Sequence, residues 1–142
     1  MNNLNEKQVP DRANSRRITP SMIDRLEEGE IFVFGSNCHG YHGGGAAHTA
    51  MKKFGAIWGQ GDGLQGQCYA ISTMEGLDAM SKNIRRFIDF ARQHPELKFL
   101  VTRIGCGIAG YEVSEVAPLL ADAAGLENVW LPDDFWKVID CL

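Results

Sequence analysis

Long apolar runs, paired cysteines and an excess of positive charge are all missing from this chain. No stretch approaches the ~18 apolar residues of a membrane span, and the start Met1-Asn2-Asn3-Leu4-Asn5-Glu6 lacks the apolar centre of a signal peptide. The expectation is a protein that stays where it is made, in the cytoplasm, with no membrane partner. Cys38, Cys68, Cys106 and Cys141 are scattered without a Cys-x-x-Cys pair, which argues against a zinc ribbon or a disulfide framework. A formal charge of -4 gives no general attraction to nucleic acid or anionic lipid, so any phosphate recognised has to be held by local geometry. The glycine cluster after Phe34 is followed by no Gly-Lys-Ser/Thr, and Gly-x-Gly-x-x-Gly does not open its helix, so that cluster is neither an ATPase loop nor a dinucleotide fingerprint. No internal repeat or low-complexity tract is present.

What the chain does have is glycine, placed unevenly. Ten of its 16 glycines lie between Gly35 and Gly66. The apolar run Ile31-Phe32-Val33-Phe34 reads as a buried strand, turning at Gly35 into Ser36-Asn37-Cys38-His39-Gly40-Tyr41-His42-Gly43-Gly44-Gly45. Ala46, Ala47, Ala50, Met51 and Phe54 then fall on one face at helical spacing. Strand, glycine loop and helix in that order favour an anion, because glycines admit close backbone approach and a helix N-terminus carries partial positive charge.

At 142 residues, 44% hydrophobic and 23% charged, the chain fits one globular domain. Residues 1–17 read as a polar N-terminal arm and residues 18–142 as the domain. Thr19-Pro20 reads as an N-cap and first position of a helix ending at Gly29. A second glycine run, Gly55 to Gly66, leads into a strand from Cys68 to Thr73; returning from a helix, it is expected at the amino end of the sheet, turning at Gly61-Asp62-Gly63. Met80, Ile84, Phe87, Ile88 and Ala91 mark a helix over about 78–93. A strand from Phe99 to Ile104, a helix from Ser114 to Ala124, and a last strand at Val129-Trp130-Leu131 complete the chain. Such alternation implies a largely parallel sheet with helices on both faces and a ligand at the carboxyl edge.

Several residues near that edge could carry chemistry. Asn37 can donate and accept beside a ribose, or cap its own turn. His39 and His42 are candidate proton movers or phosphate donors, with exposed loop histidines as the plain alternative. Cys38, His39 and His42 offer metal-type ligands, but a metal-dependent hydrolase would need a further ligand that the sequence does not supply. Cys106, between two glycines, is either a nucleophile or a small residue fitting a tight loop. Phe135 and Trp136 either wall a base or pack a helix.

Two stretches resemble the macrodomain family, whose members bind ADP-ribose. Phe34-Gly35-Ser36-Asn37 through Gly43-Gly44-Gly45-Ala46-Ala47 resembles that family's strand, asparagine and triple-glycine loop; Ile104-Gly105-Cys106-Gly107-Ile108 resembles its second glycine loop. Lys52-Lys53-Phe54-Gly55 is similar to the end of the same helix in the branch that removes ADP-ribose from acidic side chains. The resemblance implies a three-layer α/β/α macrodomain-like fold with a largely parallel central sheet, no cofactor or metal, and ADP-ribose or an ADP-ribosylated substrate as partner. It implies ligand contacts from Gly35, Ser36, Asn37, Gly43, Gly44, Gly45, Ala46 and Thr73 on one side. Gly105, Cys106, Gly107, Ile108, Ala109, Gly110 and Tyr111 would close the other side, with Phe135 toward the base. The catalytic carboxylates of hydrolytic members correspond here to Ala47 and Ala109, and the adenine-reading acid has no clear counterpart before Ile31. Hydrolysis would then fall to Asn37, His39, His42 or Lys52; without turnover the chain would read or sequester the nucleotide.

Overall fold

A computed structural model describes residues 16–142. The arm expected over 1–17 therefore lies outside the described residues except for Arg16 and Arg17, and both of these are packed. The Arg17 guanidinium donates to the carbonyls of Val129 and Ala124, and Arg16 pairs with Asp140 at 2.8 Å.

The described residues form a mixed α/β fold around a five-stranded, mostly parallel sheet. In chain order the elements are β1 (Glu30–Ser36), α1 (Gly45–Lys53), β2 (Gly63–Gln65), β3 (Cys68–Ser72), α2 (Leu77–Gln93), β4 (Lys98–Val101), α3 (Val113–Val116), β5 (Val129–Trp130) and α4 (Asp133–Ile139). The sheet order is β2-β3-β1-β4-β5, with only β2 antiparallel to its neighbour. β1 is central because its apolar run can be buried on both sides. Ile31 and Val33 join one core cluster with Met80, Ile84 and Phe87 of α2; Phe32 and Phe34 join another with Ala47 and Ala50 of α1.

The α2 helix follows its apolar stripe. Elsewhere local pattern gave way to the tertiary frame. The helix expected from Thr19 does not form: Thr19 N donates to Leu131 O and Leu131 N to Arg17 O, so Ile18 extends the sheet edge beside Leu131. A nine-residue helix is marginal without packing, and here the edge offers backbone partners while Ile23 and Leu26 pack on the Phe32 and Phe34 cluster. The Thr19 hydroxyl caps nothing and is buried without a partner among the described residues. The helix expected over 114–124 is α-helical only through Val116, after a capping box of Glu112 and Glu115, and continues as a 3-10 helix over Ala117–Gly125. Pro118 has no N–H to keep the α ladder going. The strand expected to reach Ile104 stops at Val101, and Thr102 gives both its amide and its hydroxyl to Val33 O.

The second glycine run is the largest departure. It does not stay at the amino end of the sheet but folds back to the carboxyl end of β1, where Gly59 N donates to Gly40 O at 2.9 Å. Only a bend remains at Asp62; hydrogen-bonded turns occupy Trp58-Gly59 and Gly66-Gln67.

Candidate functional site

The loops after β1 and after β4 touch at the carboxyl edge. A side chain added at Gly35 would lie 3.6 Å from Gly105 N, a closeness that adjacent parallel strands impose on the segments leaving them. Between the two loops lies a cavity of about 740 Å³, bordered by Gly35, Ser36, Asn37, Gly43, Gly44 and Gly45 from the first side. Ala46 and Ala47 open α1 on its wall, Thr73 and Met74 follow β3, and Gly105, Gly107, Ile108 and Ala109 close the far side. A second cavity of about 800 Å³ adjoins it, sharing Ala46, Thr102 and Arg103.

Main-chain donors dominate the first cavity. The amides of Gly43, Gly44, Gly45, Ala46 and Ala47 make no hydrogen bond among the described residues, and neither do those of Gly107, Ile108 and Ala109. All eight belong to residues on the cavity wall. The first group exists because α1 begins at Gly45 with no side-chain cap, leaving the usual orphan donors of a helix start. Gly105 is fixed as glycine by its φ of 76° and by Met80 Sδ, which an added Cβ would meet at 2.9 Å.

Side chains contribute less than the sequence suggests. Asn37 caps its own turn: Oδ1 accepts from the amides of Tyr41 and His39, and Nδ2 donates to Tyr41 O at 3.0 Å. His39 is exposed and stacks on Tyr41, which stacks in turn on Trp58, both pairs with centroids 5.3 Å apart. His42 is not a loop-surface histidine. It is fully buried behind Ser36, with Nδ1 2.8 Å from Ser36 Oγ and Nε2 2.8 Å from Ile57 O. Lys52 is exposed near the end of α1 and borders neither cavity.

Phe135 does not wall a base: it is 0% exposed in the core, so of its two readings helix packing holds. Cys106, Gly110 and Tyr111 also stand off the cavity. Cys106 and Tyr111 pack against the core cluster, and the amides of Cys106, Gly110 and Tyr111 are spent on Arg103, Gly107 and Gly105. Burial pushes the Cys106 thiol up, away from the thiolate a nucleophile needs. Cys68 is pushed up to about 12 by burial alone. Cys38, His39 and His42 do not converge, and among the described residues no group of three or more metal-type ligands forms. The wall also includes Ala47 and Ile104, which stand in the two resembling stretches, and Tyr41, Met74, Thr102 and Arg103, for which the sequence suggests no ligand contact. Only Arg103 carries a charge, and it is paired with Asp134 at 3.0 Å.

Glu75 ties the site together from outside. Its carboxylate accepts from the Ser72 hydroxyl and, at 2.9 Å, from Cys38 N, joining the loops after β3 and β1. Burial raises its pKa, but these donors outweigh burial and hold it below the ordinary 4.5. A carboxylate held low stabilises the fold above its unfolded pKa and loses that contribution as pH falls through the folded value. Glu75→Gln is expected to cost about 1 kcal/mol at neutral pH, a solvent-screened hydrogen-bond effect. The gap in melting temperature from wild type should close as the pH is lowered below 4.5; a gap constant with pH would refute the assignment.

No family model matches this chain, and neither the curated proteins nor the solved structures compared with it include a match.

Proposed function

We propose that this chain is a macrodomain-like module, three-layered α/β/α in architecture, that binds ADP-ribose or a related NAD-derived nucleotide at the carboxyl edge of its sheet. The observation that carries this reading is the set of eight amides, from two touching loops around one cavity, that have no partner among the described residues. Convergent amides form anion-binding concavities without a metal or a lysine, and a chain of net charge -4 has to hold a diphosphate in this local way. Helices packed against both core clusters support the layered architecture.

The second cavity gives the ligand its other half. With the diphosphate at Ala46, a base extends past Thr102 and Arg103 toward Phe32 and Asp24, both on that cavity's wall. Asp24 then supplies the acid that the sequence seemed to lack before Ile31. At the opposite end the distal ribose falls beside Asn37 and Tyr41.

Ligand-dependent melting tests the reading. ADP-ribose at a hundred times its dissociation constant should stabilise the native state by about 2.7 kcal/mol, raising the melting temperature by about 8 °C in a domain of this size. AMP should give a smaller rise, since it reaches only the base and one phosphate. No shift at millimolar ADP-ribose would remove the nucleotide assignment.

A further inference from the structure

Three aromatic rings are stacked outside the core where Tyr41 borders the cavity. His39 stacks on Tyr41 and Tyr41 on Trp58, with the ring planes 27° and 15° from parallel. Tyr41 and Trp58 are each 55% exposed, Ile57 beside Trp58 is exposed too, and neither core cluster includes any of them. Rings of this size normally pack into a core or an interface, and a contiguous apolar patch left in water marks a binding surface. The stack is also held in place in advance. Asn37 takes the Tyr41 amide and donates to the Tyr41 carbonyl, while Gly59 N donates to Gly40 O at 2.9 Å and sets Trp58 against Tyr41. The fold-back of the second glycine run therefore has a product, which is Trp58 at the cavity mouth. Charge around it is negative: Glu75 accepts from Cys38 N, one residue before His39, and Asp62 accepts from Ser72 N at 3.1 Å. Asp62 has Arg86 at 3.9 Å, whereas Glu75 forms no ion pair among the described residues.

We propose that Tyr41 and Trp58 form a subsite for a cationic heteroaromatic ring, so that the nucleotide this cavity prefers is the intact oxidised dinucleotide NAD+. This rests on the nucleotide reading above and assigns the far end of the ligand. With the diphosphate on the amides opening α1 and the distal ribose beside Asn37 and Tyr41, the group on that ribose's anomeric carbon leaves the cavity at Tyr41. In ADP-ribose that group is a hydroxyl, for which stacked rings do nothing. In NAD+ it is a pyridinium, flat and positively charged. Such a ring stacks on tyrosine and tryptophan and gains cation–π attraction from them, and the Glu75 and Asp62 carboxylates favour its charge. The reduced ring of NADH offers similar area without the charge, so it keeps the stacking and loses the electrostatic part. The subsite only binds; no bond forms or breaks there.

Calorimetric titration of the full chain at pH 8 with NAD+, NADH and ADP-ribose tests this. NAD+ should bind about 10-fold more tightly than either of the others. Trp58→Ala should bring NAD+ down to the affinity of ADP-ribose, while ADP-ribose binding and the melting temperature stay near wild type, since Trp58 is exposed and does not border the cavity. Trp58→Phe should keep most of the preference. Tryptophan fluorescence gives a second readout: NAD+ should quench it in the wild type and not in Trp58→Ala. ADP-ribose that binds as well as NAD+ overturns the subsite and leaves the nucleotide reading standing. A preference for NAD+ that survives in Trp58→Ala overturns the role of the stack. If none of the three ligands binds, the subsite and the nucleotide reading fall together.

Discussion

Gly61→Ala should destabilise the protein by about 3 kcal/mol or more, although it adds a single methyl group and removes nothing. An ideal Cβ at Gly61 would lie 2.0 Å from Asn37 O and 3.2 Å from Gly40 N. Both obstacles are main chain and already joined, since Gly40 N donates to Asn37 O at 2.9 Å. No side-chain rotation relieves the clash, so the second glycine run has to lift off the loop after β1. That movement would break the bond from Gly59 N to Gly40 O and draw Ile57 away from His42. A fall in melting temperature of about 10 °C is expected. Gly107→Ala is the control: its Cβ meets nothing within 4 Å, and its effect should stay within about 0.5 kcal/mol. Equal melting temperatures for the two variants would show that the loops are not locked together.

That lock explains why some of the fold was legible in the sequence and some was not. β1 announces itself through Ile31 to Phe34, and α2 through Met80, Ile84, Phe87, Ile88 and Ala91, because burial on a strand or one helix face imposes a short period. The parallel sheet follows from the alternation. Contacts between segments distant in the chain have no period. Nothing in Gly55 to Gly66 says that this run packs main chain to main chain against Asn37 and Gly40, since the signal is only a missing side chain. Ile18 and Thr19 likewise pair with Leu131 more than a hundred residues on.

Within the site, the glycine loops are readable because a cluster of glycines before a helical pattern shows directly in the sequence. The partners of the side chains are not. Phe135 has two readings, and its burial in the core decides for packing, while Asn37 both caps its own turn and borders the cavity. For His42 the sequence leaves a proton mover and an exposed loop residue both open, because a histidine in a glycine-rich loop carries no hint of Ile57 and Ser36 on either side.

Gly44→Glu should weaken ADP-ribose binding by about 100-fold, or about 2.7 kcal/mol, with little effect on the fold. Gly44 is the residue before α1, at φ -151 and ψ 167, an extended conformation open to any residue. A Cβ there meets nothing within 4 Å, so the new side chain enters the cavity without strain. A carboxylate at a helix N-terminus is also favourable for the helix, and the melting temperature without ligand should be at or slightly above wild type. The same carboxylate would take the amides proposed for the diphosphate and place negative charge within a few ångströms of it. Gly44→Gln separates the two causes, filling the same space without charge. It should retain more affinity, and the difference between the two variants should shrink as salt is raised. A pair of variants that bind alike would mean that bulk alone matters at this position. A Gly44→Glu protein that binds as wild type would mean that the diphosphate does not lie on the amides opening α1.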